Sequence, residues 1–294
     1  MIYGRERFVM DNYTVIFVTD QRQQAISEFL PGHVKSEIWT DEESENICIK
    51  QIRKATQIVL PTPAAKVSKT KDMAEILKYN LENCRTVFGG KISREWKNWF
   101  EEHGMQCIDF LEDEKTALEN AYITAEGAVA EILKASRYSI RGQKIVVTGY
   151  GRCGRSVANL LSDMGAKVTV LARSVQNRKT AKADGHNAVD FSYGAEEAYG
   201  TRTFVNTVPA CVINRHMISE MHPDAVIIDL ASAPGGTDLA AAAEYGITVV
   251  PALGLPGIYT TKSSAKIMAD AIIRQTSHKP GVREDKSWIF QIII

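Results

Sequence analysis

The chain is short of cysteine, of surplus charge and of long apolar runs, and each shortage narrows what it can be. Its five cysteines, Cys48, Cys84, Cys107, Cys153 and Cys211, are scattered, odd in number and without a Cys-x-x-Cys pair. That argues against a disulfide framework and a zinc or other metal site, and it suits a reducing compartment. Lys plus Arg and Asp plus Glu each number 35. A balanced chain has no general attraction to nucleic acid or to an anionic membrane, so a charged ligand must be gripped locally. No stretch approaches the roughly 20 apolar residues that span a bilayer. The opening MIYGRERFVMDNYTVIFVTD has no basic segment followed by an apolar run, so no signal peptide and a cytoplasmic location are expected. The apolar end SWIFQIII (288–294) is too short to cross a membrane and is expected to pack on a surface. No repeat, low-complexity tract or Gly/Pro-rich linker interrupts the chain.

What is present is an alternation of short β-branched strands and amphipathic helices over 294 residues, enough for about two domains. Strands are expected at 14–18, 36–39, 57–60, 86–88 and 106–108, with helices between them, notably at 70–80 and 93–102. This reads as a small parallel, flavodoxin-like α/β domain. A long helix follows, with Leu118, Ala121, Ala125, Ala128, Ile132 and Leu133 spaced by three and four and with Asp113 and Glu114 at its start. Six further strands are expected at 144–149, 167–171, 187–191, 203–207, 225–230 and 247–250. Helices at 152–164, 175–184, 213–220 and 237–245 separate them, and a last helix lies near 262–275. Six strands with intervening helices match a Rossmann-type doubly wound sheet. The expected division is an N-terminal substrate or partner domain, 1–138, ending in the connecting helix, and a dinucleotide-binding domain, 139–294, carrying the last helix and tail.

The sharpest local signal is GYGRCG, residues 149–154. Gly149, Gly151 and Gly154 form G-x-G-x-x-G after an apolar strand and at the head of a helix. The first glycine turns the chain, the second lets a pyrophosphate approach the backbone, and the third packs the helix on the sheet. The N–H groups at the helix start favour phosphate, which places Tyr150, Arg152 and Cys153 beside the ligand. An acidic residue at the end of the second strand would bond the ribose of NAD. Here stand Ala172, Arg173 and Ser174. A guanidinium fork and a hydroxyl suit a 2′-phosphate, so the expected cofactor is NADP, with Arg178 assisting from the next helix. Three loops leave the carboxyl ends of the later strands. They carry Asn206, Thr207, Val208 and Pro209, then Ala231 and Ser232 ahead of the Gly235–Gly236 pair, then Gly254. Loops at those ends are where open α/β sheets bind ligands.

With GYGRCG and LARS, the runs NTVPA, IIDLASAPGGTDLA and LGLPG resemble the family of dipicolinate synthase A subunits. The likeness extends upstream to VTDQRQ (18–23), VLPTPA (59–64) and NAYITAEGAV (120–129), and so covers the chain to about residue 275. Val18–Thr19 stand where that family has a glycine pair. YTTKSSA (259–265) replaces its Val-Ala-Pro-Lys-Thr-Ala-Gly run and keeps Lys262. The resemblance implies a two-domain NADP-dependent enzyme of sporulating cells, working in the mother-cell cytoplasm. It also implies oxidation of a dihydrodipicolinate-type dicarboxylate to pyridine-2,6-dicarboxylate, partnership with a flavoprotein-like B subunit, and room for a homo-oligomer.

Arg22 and Lys262 are the candidate cations for the substrate carboxylates, and Glu126 or Lys262 the candidate for moving a proton. Thr124 and Glu126 are expected to line a cleft between the domains. Each of the three charged residues also has an ordinary structural reading, as a helix cap, a surface acid or a helix-start lysine. His216 and His222 have no acidic partner at catalytic spacing in the sequence and read as surface or structural residues, Cys153 and Cys211 lack a base, and Trp96 and Trp99 read as core or interface. Two other functions stay open: another two-domain NADP-dependent oxidoreductase of hydroxy or keto acids, and a cofactor-binding subunit without chemistry of its own.

Overall fold

The computed structural model describes residues 13–31, 35–39, 45–64, 77 and 81–277. The helix expected at 70–80, Leu77 apart, and the apolar end at 288–294 lie outside them. The chain forms two compact units, one running to Phe110 and resuming at Ala265, the other spanning Leu111–Ser264.

The first unit is a five-stranded parallel sheet. Its strands are β1 (Tyr13–Phe17), β2 (Lys35–Trp39), β3 (Gln57–Val59), β4 (Thr86–Gly89) and β5 (Gln106–Asp109), in the order β2-β1-β3-β4-β5. This is the flavodoxin-like order that the alternation predicted. The central segments TVIF, QIV and VFG are buried along their whole length, as strands covered on both faces must be. Val15, Leu60, Val87 and Phe100 fill one face, and Trp96 and Trp99 pack half-buried against them. Ile16, Ile26, Phe88 and Phe110 fill the other, together with Ala265, Met268 and Ile272 of the helix Thr261–Ser277.

The second unit is a six-stranded parallel sheet: β6 (Lys144–Thr148), β7 (Lys167–Leu171), β8 (Asn187–Val189), β9 (Thr203–Asn206), β10 (Val226–Asp229) and β11 (Thr248–Pro251). Its order, β11-β10-β9-β6-β7-β8, is that of a doubly wound dinucleotide fold, with the switch in strand order between β6 and β9. All six expected strands are there. The helix Glu114–Ala135 starts on Asp113, whose carboxylate accepts from the Thr116 amide. It buries Ala125, Ala128 and Ile132 in the core of this second unit, whereas a division at 138/139 groups it with the first. Small residues permit its close packing. A Cβ on Gly127 would lie 2.6 Å from the Cβ of Leu255, which accounts for the glycine of the Thr-Ala-Glu-Gly run. An amphipathic pattern shows that a helix has an apolar face but not which sheet that face covers.

Candidate functional site

The three glycines of the turn after β6 meet three different surroundings. Gly149 has φ +87°, and a Cβ there would sit 2.5 Å from Thr207 Oγ1. Gly154 lies against the Gly149 carbonyl, whose oxygen would be 2.4 Å from an added Cβ. Gly151 faces open space, with nothing within 4 Å of the same position. It is the N-cap of the helix Arg152–Asp163 and supplies no side chain to the first amides. Those amides and the partial positive charge of the helix end therefore face outward. They open on a cavity of about 640 Å³ lined by the whole turn, Gly149 through Gly154.

Ala172, Arg173 and Ser174 line the same cavity from the end of β7. Ala172 is buried and Arg173 exposed. The Arg173 guanidinium has no hydrogen-bond or ion-pair partner among the described residues. The Ser174 hydroxyl caps the next helix, accepting from the Asn177 amide at 3.3 Å. Arg178, expected to assist the ligand, is committed elsewhere. Its Nη1 lies 2.6 Å from the Ala172 carbonyl, 2.7 Å from the Arg173 carbonyl and 2.6 Å from Asp190 Oδ2.

From β9, Thr207, Val208 and Pro209 reach the cavity, but Asn206 does not. Its amide is fully buried and fully bonded. Oδ1 accepts from Thr148 Oγ1 (2.5 Å) and the Val208 amide (3.0 Å), and Nδ2 donates to Val208 O (3.1 Å) and Asp229 Oδ1 (2.7 Å). Asp229, 7% exposed at the end of β10, also accepts from the amides of Ala231 (3.0 Å) and Gly236 (3.1 Å) and from Thr237 Oγ1 (2.8 Å). A buried carboxylate needs such donors. Gly236 is required beside it, since a Cβ there would fall 2.0 Å from Asn206 Nδ2. Ala231, Ser232 and Gly254 lie outside the cavity lining. Asn177 and Phe191 line it, although nothing in the strand-end pattern pointed to them; they come from the elements after β7 and β8.

A second, polar cavity of about 470 Å³ adjoins the turn and shares Tyr150, Gly151, Arg152 and Asn177 with the first. Tyr150 donates to Asp184 Oδ2 (2.7 Å), and Arg155 grips the same carboxylate with two bonds (2.8 and 3.0 Å). The Tyr150 hydrogen bond, then the Arg155 pair, holds the Asp184 carboxyl below its usual range. Burial, then the Asp184 contact, pushes the Tyr150 phenol up. Arg152 pairs with Glu114 at 3.1 Å. Burial raises the thiol pKa of both Cys153 and Cys211, so neither is poised as a thiolate nucleophile.

The three charged catalytic candidates are divided between the two units. Arg22 stands in the first unit, in a capping box. Asp20 accepts from the Arg22 and Gln23 amides, and the Gln23 side chain accepts from Asp20 N. The Arg22 guanidinium binds Asp20 (2.6 Å) and the Thr62 carbonyl (3.2 Å), which joins the VTDQRQ and VLPTPA runs at one point. Glu126 and Lys262 are exposed residues of the second unit, and neither lines the cavity at the glycine turn. Thr124 donates to the Asn120 carbonyl of its own helix. His222 lies between Arg202 and the Asp224 amide, and His216 is on the surface beside Tyr199. Among the described residues no helix is long and apolar enough to cross a membrane.

The model of the family described as D-isomer specific 2-hydroxyacid dehydrogenase, NAD binding domain, matches residues 90–241. The A subunit of dipicolinate synthase from Bacillus subtilis is 30% identical over 186 residues, a match that spans 63% of this chain and 63% of that protein. The solved A subunit of dipicolinate synthase from Bacillus halodurans superposes with a TM-score of 0.77 at 25% identity, covering 92% of this chain and 99% of that one. The A chain of the Bacillus subtilis enzyme shares the fold, with a TM-score of 0.73 at 23% identity over 91% of this chain and 96% of that one.

Proposed function

The chain belongs to the D-isomer specific 2-hydroxyacid dehydrogenase family through its NAD-binding domain, and from that premise we propose that it is the NADP-dependent dehydrogenase subunit of a dipicolinate synthase. A nicotinamide cofactor comes with the family. The observation that carries the choice of NADP is Arg173, an exposed guanidinium without a partner among the described residues, on the rim of the glycine-turn cavity. A 2′-phosphate needs a cation there, and a carboxylate would repel it. The rest of the cavity fits a dinucleotide: outward amides, an open side at Gly151 and a volume within the usual range for ligand sites.

The substrate assigned is a dihydrodipicolinate-type ring, supported by the likeness to the two Bacillus subunits. When bound, the nicotinamide supplies the hydride acceptor: the ring loses a hydride to it and a proton to water or a side chain, leaving the aromatic dicarboxylate and NADPH. The turn amides hold the pyrophosphate, and Arg173 with Ser174 the 2′-phosphate. Thr207, Val208 and Pro209 shape the cavity wall. Arg22 of the first unit and Lys262 of the second are each a candidate to hold a substrate carboxylate, and Glu126 or Lys262 a candidate to take the proton. Arg22 retains an Nη1 with no partner among the described residues. In this reading the first unit presents the substrate and meets a flavoprotein-like B subunit, in the cytoplasm of a sporulating mother cell.

The match over residues 90–241 favours one other reading, oxidation of a 2-hydroxy acid. Following NADPH formation by the purified chain, with and without the B subunit, separates the two. The proposal expects turnover of a dihydrodipicolinate-generating mixture and none of a 2-hydroxy-acid panel; the reverse result overturns it. By calorimetry NADP⁺ should bind more tightly than NAD⁺, with Arg173→Asp narrowing or inverting that order.

A further inference from the structure

Arg178 lies outside the lining of the glycine-turn cavity, yet its guanidinium is the hub of the segment that presents Arg173. Three oxygens converge on its Nη1: Ala172 O, Arg173 O and Asp190 Oδ2, at 2.6, 2.7 and 2.6 Å. The segment is held on its other side as well. The Ala172 amide donates to Val189 O (3.2 Å), Ser174 caps the helix at Asn177 (3.3 Å), and the Arg178 amide donates to Ser174 O (3.1 Å). Asp190 is anchored too, accepting from the Ser192 amide (3.2 Å). The backbone from Ala172 to Ser174 is therefore fixed, while the Arg173 side chain remains free to bind.

The arrangement has an electrostatic side. Two carbonyl dipoles and one carboxylate stand next to the rim where a phosphate is to be placed: Ala172 and Ser174 line the cavity, and so does Phe191, the residue after Asp190. Each of these oxygens would repel a phosphate, and each is turned onto a single cation that does not itself reach the cavity lining. The Arg178 side chain is 21% exposed and Asp190 40%, so the pair is partly shielded from solvent and its charges are only partly screened.

We propose that Arg178 is a positioning residue for 2′-phosphate recognition: it clamps the backbone that aims Arg173 and neutralises Asp190 and two carbonyl oxygens that would otherwise oppose the phosphate. The proposal rests on the reading of Arg173 as the 2′-phosphate ligand. Its consequence is selective. Removing Arg178 harms NADP⁺ and spares NAD⁺, because the NAD⁺ ribose presents no phosphate to that rim.

The test measures dissociation constants of NADP⁺ and NAD⁺ by calorimetry for the full chain and for Arg178→Gln, Arg178→Lys, Arg178→Gln/Asp190→Asn and Arg173→Ala. Arg178→Gln should weaken NADP⁺ about tenfold or more and change NAD⁺ by less than threefold. The Asp190→Asn double variant should recover part of the NADP⁺ loss by removing the exposed acid, and Arg178→Lys should retain part of the preference. An equal loss for both cofactors in Arg178→Gln, or no recovery in the double variant, makes Arg178 a merely structural residue and overturns the proposal. Arg173→Ala separates the two levels. If it leaves the NADP⁺/NAD⁺ ratio unchanged, the reading of Arg173 fails; if it lowers the ratio while Arg178→Gln does not, the positioning role alone fails.

Discussion

Gly151→Ala and Gly154→Ala place the same methyl group three residues apart in one turn, and the structure assigns them opposite consequences. At Gly154 the methyl would lie 2.4 Å from the Gly149 carbonyl oxygen and 2.9 Å from its carbon, about 1 Å inside ordinary contact. Both neighbours are backbone, so the strain cannot be relieved by a rotamer change. Overpacking of this kind costs ~1–3 kcal/mol, and the clash with main chain puts it near the upper end. The better helix propensity of alanine returns ~1 kcal/mol at most. The net loss is about 2 kcal/mol, or a fall of roughly 4–8 °C in the midpoint of the second unit's thermal transition. At Gly151 no heavy atom lies within 4 Å and the backbone, with φ −79° and ψ −169°, is open to any residue. Alanine there, a poorer N-cap than glycine, costs stability up to about 1 kcal/mol. Its methyl occupies the approach to the helix amides instead, so the dissociation constant for NADP⁺ should rise about tenfold or more, equivalent to ~1.4 kcal/mol. Thermal unfolding without ligand and calorimetric titration of NADP⁺ read the two effects separately. A Gly154→Ala variant as stable as the parent, or a Gly151→Ala variant with unchanged NADP⁺ affinity, refutes the assignment of one glycine to packing and the other to the ligand.

Asp229→Ala should strip four buried donors of their acceptor and cost about 3 kcal/mol or more, read as a lowered urea midpoint, whereas Asn206→Ala in that background should cost less than it does alone because the two share one network. Burial holds the His186 imidazolium pKa below its ordinary value, with Nε2 2.8 Å from Asn159 Oδ1; its folded form resists protonation, so its contribution to stability is complete above pH ~6.5 and declines as pH falls through the lowered value. Its NMR titration midpoint should lie below that of a free histidine, and a midpoint at or above it contradicts the burial argument. Gly127→Ala should destabilise the second unit by ~1–3 kcal/mol through the 2.6 Å approach to the Leu255 Cβ, and in a double-mutant cycle Leu255→Gly, which removes that atom, should relieve more of the cost than Leu255→Ala, which keeps it.

The sheet order and the glycine turn were legible because they rest on patterns that backbone physics imposes: β-branched runs at even spacing, and glycines where a Cβ meets a carbonyl or a hydroxyl. The place of Arg173 on the rim of the cavity was legible as well, since the end of the second strand lies next to such a turn. Asn206 was not. A strand-end asparagine reads the same whether its amide faces a ligand or a buried aspartate 23 positions later. Arg178 was placed near the rim by its spacing from Arg173, but the sequence could not show that the acceptors claiming it are two main-chain carbonyls and Asp190. Asn177 and Phe191 escaped notice because they reach the cavity from elements that follow the strand ends, and side-chain direction at such positions depends on the packing of the unit. The helix Glu114–Ala135 announced its apolar face but not the sheet that face would cover.

The bonds that run from Thr148 through Asn206 to Asp229, and on to Ala231, Gly236 and Thr237, knot the ends of three neighbouring strands together. A guest entering there meets a frame completed by folding, and little conformational freedom remains for it to freeze out. Any drift in what the mouth accepts must then come from side chains that line it and that the knot leaves slack, such as Arg173 and Pro209, rather than from the knotted residues themselves.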